Sequence, residues 1–314
     1  MAHAIVYSEY GGPEVLSLID IDPPAPGEGQ LAVRIEAAGV NPIDAKLRSG
    51  MRGGSAPFTK PRRAGGDGAG VVTAVGPDVD GFRVGDEVVL FGASGLYATD
   101  VVVKASSTQP RPPQVSAAEG AALGIPVGTA YQALRSLSVG PHDTLLVHAG
   151  SGAVGQAAIQ YAVLWGATVI ATASASRFDR IRALGATPVA YGDGLADRVR
   201  QAAPDGVTVA FDAAGTDEAL ETSIALVPDR SRIATIVRGA DAAGLGIRAF
   251  SGGSPEPITP QQQAWRAEAV PVTLALMAAG RFSVELGPQL PLGEAAQAHR
   301  LLAAHTPGKI TLVP

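Results

Sequence analysis

The chain has no cysteine among its 314 residues. That removes disulfides, thiolate nucleophiles and cysteine-ligated zinc, and it fits a cytoplasmic setting. Runs of positive charge are also missing. The longest is the pair Arg62-Arg63, and the net charge is −5, so binding to nucleic acid through phosphate neutralisation is not expected. The amino-terminal stretch lacks a basic start followed by an apolar core, and no signal peptide is expected. The five histidines, His3, His142, His148, His299 and His305, are scattered without ligand spacing. Each is read as a surface or a satisfied core residue, and no metal is expected. No Ser/His/Asp triad or paired-carboxylate pattern is present, which speaks against hydrolysis. Residues 149–176 carry no charge, a length that suggests a membrane span, but Gly150, Gly152, Gly155 and Gly166 interrupt them and Gln156 and Gln160 lie between. A buried loop, helix and strand explain the stretch better, and no membrane association is expected.

With 46% hydrophobic residues the chain has material for two cores. The first third is rich in strands and turns: residues 4–7, 30–37, 70–75, 87–91 and 97–103 are β-branched or alternating, with glycine, proline and aspartate between them. A helical pattern starts at 115–122, and another follows Pro126. After Pro141 the texture changes. Strands are predicted at 144–149, 168–173, 207–211 and 232–237, with helices at 155–165 and 177–184 between them. This alternation predicts an α/β fold with a doubly wound parallel sheet. Helices are predicted at 271–280 and 293–304, and a closing strand at 309–313. Residues 50–60 and 240–260 are too irregular to assign.

The strongest local signal is Gly150-Ser151-Gly152-Ala153-Val154-Gly155, a GxGxxG loop between an apolar strand and a helix. Gly150 permits a tight turn, Gly152 lets backbone approach a pyrophosphate, and Gly155 lets helix and strand pack closely. The first helical amides and the helix dipole then hold the anion. An NAD site usually has an acid about 20 residues beyond this loop. Here the second strand runs into Ala173-Ser174-Ala175-Ser176-Arg177. Two hydroxyls and a guanidinium suit a 2′-phosphate, so the expected cofactor is NADP(H).

At this point the sequence resembles the quinone oxidoreductases of the medium-chain dehydrogenase/reductase family. The resemblance rests on Gly39-Val40-Asn41-Pro42-Ile43-Asp44, Gly66-Asp67-Gly68-Ala69-Gly70, Val84-Gly85-Asp86, Gly128-Thr129-Ala130-Tyr131, residues 144–186, Asp212-Ala213-Ala214-Gly215 and Gly308-Lys309-Ile310. Arg177-Phe178-Asp179 is also similar to the enoyl reductase domains of polyketide synthases. Zinc-dependent relatives carry a cysteine in the first block and a His-Glu pair in the second. The resemblance implies a Rossmann domain at 125–255 inserted into a β-rich, GroES-like catalytic domain made of 1–124 and 256–314. It also implies a homodimer.

The site residues expected from it are Asn41, whose neutral amide can hold a carbonyl or the nicotinamide, Asp44, which can anchor a water or start a helix, and Thr129, near the nicotinamide ring. Tyr191 is expected near the adenine ribose phosphate. Lys46, Arg48 and Arg52 are read as solvated surface charge. The expected activity is reduction of a quinone or an α,β-unsaturated carbonyl, a small-molecule substrate, by hydride from NADPH without zinc. A ketone or aldehyde reductase, or a non-catalytic NADPH-binding protein, are the alternatives.

Overall fold

The computed structural model describes residues 1–51, 58–250, 254 and 256–314. The amino-terminal alternation yields strands β1 (Ala2–Tyr7), β2 (Ser17–Ile21) and β3 (Gln30–Gly39), helix α1 (Pro42–Arg48), strands β4 (Arg62–Arg63), β5 (Asp67–Val75), β6 (Glu87–Leu90), β7 (Asp100–Lys104) and β8 (Thr108–Pro110), and helix α2 (Ala117–Ala121). Helix α3 (Gly124–Ser136) opens the second half. It is followed by β9 (Thr144–His148), α4 (Ala153–Leu164), β10 (Thr168–Ala173), α5 (Phe178–Ala183), β11 (Thr187–Ala190), α6 (Leu195–Ala202), β12 (Val209–Asp212), α7 (Asp217–Leu226), β13 (Ile233–Thr235), α8 (Gly239–Leu245), β14 (Arg248–Ala249) and α9 (Pro260–Ala278). Strand β15 (Leu286–Pro291), helix α10 (Ala295–Ala303) and strand β16 (Lys309–Val313) end it.

These elements divide into two units, Met1–Ile125 with Val270–Pro314, and Pro126–Ala269. In the first, a sheet runs in the order β15-β16-β3-β5-β6-β8 with β7 on β3, beside a smaller sheet β2-β1-β4. The inward side chains of the alternating strands, among them Leu31, Val33, Ile35, Val72, Val88 and Leu90, meet Tyr97, Ile310 and Leu312 in one core. Burial of such apolar surface is the main force holding the unit. Strand β16 pairs with β3 through Thr311↔Gly39 and Leu312↔Ala38, which fixes the end of the chain against its beginning.

The second unit is a six-stranded parallel sheet in the order β11-β10-β9-β12-β13-β14. This is the doubly wound Rossmann order, in which the strand sequence reverses beside the first strand, β9. Leu146, Ile170, Ala210 and Ile233, one from each central strand, pack with Leu195, Val199 and Leu220 of the helices.

Several expectations are corrected. The helix expected at 271–280 begins at Pro260 and carries Pro271 inside it. A proline that usually opens a helix was here embedded in one. Residues from Val270 on, within α9, group with the first unit. The strand expected at 97–103 starts at Asp100, because Tyr97 instead exchanges backbone bonds with Ala64 and Ile5. Within 240–260 the fold has α8 and β14, while residues 251–253 and 255, like Arg52 within 52–57, lie outside the described residues. Among the described residues no helix is long and apolar enough to cross a membrane.

Candidate active site

In the unit Pro126–Ala269 the glycine loop closes over the end of β9. The Gly150 N–H donates to the Thr172 carbonyl (2.9 Å) and the Ala149 N–H to Thr172 Oγ1 (3.2 Å), so the loop is tied to β10. The three glycines do three different things. A Cβ on Gly155 would lie 2.2 Å from the Ala149 carbonyl oxygen, so only glycine lets α4 start so close to the loop. A Cβ on Gly150 would lie 2.7 Å from the Ala171 Cβ. That is a packing demand, and it corrects the expectation of a turn demand at Gly150, since the left-handed residue of the turn is Ala149, at φ 58°. A Cβ on Gly152 would meet only the Ala149 oxygen, at 3.5 Å. Space is open in front of Gly152, and no side chain caps the helix that starts there. The first-turn N–H groups of α4 therefore face a cradle that suits an anion. Gln156 braces the loop from inside, donating to the Ser151 carbonyl (2.8 Å) and accepting from Arg180 Nε (2.8 Å).

The other expected cofactor residues gather at the carboxyl ends of β10 and β11. Ser174 and Ser176 lie with their hydroxyls 3.1 Å apart, and Arg177 follows at the start of α5. The parallel register pairs Ala173 with Ala190, so Tyr191, 59% exposed, stands one step beyond the strand opposite Ser174. Behind this edge lies a buried polar layer that sequence reasoning did not single out. Asp212 accepts from the N–H groups of Ala214 and Gly215 (both 2.9 Å) and from Thr235 Oγ1 (2.7 Å). Thr235 in turn accepts from Val237 and Arg238 N–H. His148, whose pKa burial lowers to about 4, shares a bond with Ser223 (3.1 Å). These bonds set the loops at the ends of the strands, where doubly wound folds place ligands. Thr129, on α3, accepts from Arg266 Nη2 of α9 (3.0 Å), a partner that its sequence context gave no sign of.

In the unit Met1–Ile125 with Val270–Pro314, Asn41 and Asp44 meet at the start of α1. The Asn41 backbone N–H donates to Asp44 Oδ2 (2.9 Å), one half of a capping box. The Asn41 side chain is turned inward. Its Nδ2 donates to Asp67 Oδ2 (2.8 Å) and to the Gly39 carbonyl (3.3 Å), and its Oδ1 accepts from Lys309 Nζ. Both amide protons are thus spent within the protein. Asp67, fully buried, also accepts from the Ile125 N–H (3.0 Å) and lies 3.8 Å from Lys309 Nζ. Burial pushes the Asp67 carboxyl up and the Lys309 ammonium down, and each charge opposes the shift of the other.

Asp44 Oδ2 also accepts from the Tyr97 hydroxyl (2.9 Å). Burial, reinforced by the Asp67 charge, raises the Asp44 pKa to about 7, against the pull of the Asn41 N–H, Tyr97 and Lys309. On its far side the Tyr97 oxygen is 3.5 Å from His299 Nε2. Two expectations change here. Arg48 is buried and not solvated surface charge, because α1 turns its last residue inward, and His299 is buried with no partner for its Nδ1 among the described residues, so that side of the ring is not satisfied by them. Lys46 is half-buried. Lys309 is the one charged residue of an otherwise uncharged closing strand, and Asp67 the one acid of β5. Charged residues in strands that pair on both sides are the signal that could have found both. Among the described residues no group of three or more His, Asp or Glu side chains is placed to hold a metal ion.

The chain matches the profile of the alcohol dehydrogenase GroES-like domain over residues 27–123 and that of zinc-binding dehydrogenase over residues 153–248. It is 39% identical over 199 residues to a chloroplastic quinone-oxidoreductase homolog of Spinacia oleracea, a match covering 60% of each chain. It is 38% identical over 186 residues to human quinone oxidoreductase, covering 58% of this chain and 55% of that one. These matches thus span 55–60% of the length of the curated relatives. Among solved structures, Pseudomonas syringae quinone oxidoreductase superposes over the whole of both chains with a TM-score of 0.85 at 32% identity. Escherichia coli quinone oxidoreductase, solved with NADPH, superposes with a TM-score of 0.84 at 26% identity, over 99% of this chain and 100% of that one.

Proposed function

Because the chain belongs to the quinone oxidoreductase family of medium-chain dehydrogenases/reductases, we propose that it binds NADPH and reduces a quinone or an α,β-unsaturated carbonyl. The observation that carries the cofactor half is the open cradle at Gly152, uncapped and in front of the first turn of α4. There the backbone of Ser151, Gly152, Ala153, Val154 and Gly155 holds the pyrophosphate. The end of β10 offers Ser174, Ser176 and Arg177 and no acid to accept from a ribose 2′-hydroxyl, which favours the 2′-phosphate. Tyr191, mostly exposed at the end of β11, covers that phosphate's ribose. When bound, the nicotinamide supplies the hydride, and the protein positions it and its acceptor.

Thr129 already accepts from Arg266, so its own proton is left to donate to a carbonyl. Asn41 acts through its neighbours, since its amide joins Lys309 to Asp67. It holds a cation in a dry site without itself carrying charge. Reduction by hydride leaves an anionic oxygen, and the positive charge of Lys309 favours its formation. We further read the protein as cytoplasmic and as a homodimer joined through the edge strand β14, whose outer side pairs with no strand among the described residues.

The test is NADPH consumption with 1,4-naphthoquinone, with a small enone, and with the matching saturated ketone. The expected result is turnover of the first two and little of the third. Turnover of the saturated ketone alone points to a carbonyl reductase. No turnover with any of them, in a protein that binds NADPH, removes the enzymatic reading.

A further inference from the structure

Every hydride transferred to a quinone or enone leaves an anion that must take up one proton, and the residues of the glycine loop offer none. The first unit contains a connected set of groups that does. Asp44 lies on α1, three residues from Asn41. Both bonds to its carboxyl end on Oδ2, so its Oδ1 has no protein partner among the described residues. Behind Oδ2 stands the Tyr97 hydroxyl at 2.9 Å, and behind that His299 Nε2 at 3.5 Å, with the two rings edge to face. The series is buried: Tyr97 is 0% and His299 2% exposed. At its inner end, His299 Nδ1 and the Nε and Nη1 of Arg48 are buried without a hydrogen-bond partner among the described residues. Arg48 is close enough that its charge lowers the pKa of His299.

We infer that Asp44, Tyr97 and His299 form a proton relay, in which Asp44 gives a proton to the reduced product and is recharged from solvent through Tyr97 and His299. This rests on the reductase reading above. One turnover moves one proton. The Asp44 O–H bond breaks and the proton goes to the product oxygen or carbon. The Tyr97 proton then passes to Asp44, the His299 Nε2 proton to the Tyr97 oxygen, and a proton from a solvent acid, hydronium or buffer, to His299 Nδ1. Exchange of the histidine tautomer resets the series. Hydride and proton together account for the two electrons and two hydrogens gained by the acceptor.

The charged and titratable groups around the relay suit it. Asp67 on β5 and Lys309 on β16 act on Asp44 with opposite charges, and burial, helped by the Arg48 charge, keeps His299 neutral, with its pKa lowered to about 4. Glu14 and Tyr7 are near enough to Arg48 for their charges to act on it. A carboxyl with a pKa raised to about 7 is both a donor and an acceptor at neutral pH.

The test uses the whole protein with Tyr97→Phe and, separately, His299→Gln. Both keep side-chain volume, and Phe fills the buried ring site. Expected for both are kcat with 1,4-naphthoquinone lowered roughly tenfold or more, a larger solvent deuterium isotope effect on kcat, and NADPH affinity within about twofold of the parent. Unchanged kcat and unchanged isotope effect in both folded variants overturn the relay. Carbon-13 NMR of labelled aspartate gives a readout without turnover. Loss of the Tyr97 donor should move the Asp44 midpoint upward, and an unmoved midpoint overturns the contact on which the relay depends. If the parent reduces no quinone or enone while the midpoint moves as expected, it is the reductase reading that fails, and the relay has no proton to deliver.

Discussion

At Asp44 two hydrogen bonds converge on one carboxylate oxygen, so an amide can replace the acid without losing either. The folded-state pKa, about 7, lies above the ordinary value of 3.8. Between those values the folded protein holds a proton that the unfolded chain has lost, so stability from this group is present at low pH and declines as pH rises through the window. Asp44→Asn should remove that decline. Urea unfolding at pH 4.5 and pH 8 should show the variant gaining on the parent at the higher pH, and a constant difference between the two pH values contradicts the raised pKa. At the other site, Arg177→Ala should weaken NADPH binding by about tenfold and barely change that of NADH, since a charge-assisted phosphate contact contributes roughly 1.5–3 kcal/mol. Fluorescence titration of both cofactors checks this. Arg177, Ser174 and Ser176 could be read from the sequence because they adjoin a strand and a glycine loop. Tyr97 and His299 could not. Each meets the Asn41–Asp44 turn only through tertiary folding, and in Tyr97 and His299 no local pattern separates a relay group from core filler.

The elements show the same division. Strands with glycine or proline punctuation and helices that end at a left-handed glycine, such as α4 before Gly166 at φ 87°, were legible because local chemistry marks both ends. Strand β2 was not, since its residues are largely exposed and carry no inside-outside alternation, and α9 was misread at the single residue Pro271. Within the βαβ element the glycines make opposite predictions. Gly155→Ala puts a methyl 2.2 Å from a carbonyl that cannot move without displacing the strand, and should lower thermal stability markedly by calorimetry. Gly152→Val points into the open cradle and should leave circular dichroism near native while NADPH affinity falls by orders of magnitude. Intact NADPH binding by a folded Gly152→Val protein would show the loop to be an ordinary turn.

At the scale of the whole molecule, one unit is continuous in sequence and the other is not. A polypeptide of residues 124–278 contains the complete six-stranded sheet, with α3 and α9 joined through Thr129 and Arg266. It should fold by itself, unfold cooperatively and bind NADPH without any reductase activity. Residues 1–125 alone lack β15 and β16, and with them the strand that pairs with Ala38 and Gly39 at the end of β3 and the core side chains Leu290, Ile310 and Leu312, and should give a disordered circular dichroism spectrum. A cooperative transition in that shorter piece would show that its core closes without the end of the chain. The discontinuity was expected from the resemblance alone. Nothing in local pattern tells a strand at 309–313 that its neighbour was made near the start.

Lys309 reaches Asn41 across 268 residues, and this separation is also an interval of time. At about 5–20 residues per second, on the order of tens of seconds pass on the ribosome after Asn41 and Asp67 have been made and before their cation exists. During that wait the acid has its hydrogen bonds from Asn41 and Ile125 but no opposite charge, and the end of β3 at Ala38 and Gly39 lacks the strand that pairs with it, an edge open to another nascent chain. Yield in the cell should therefore depend on whatever shields the first 125 residues while the Rossmann unit is still being translated.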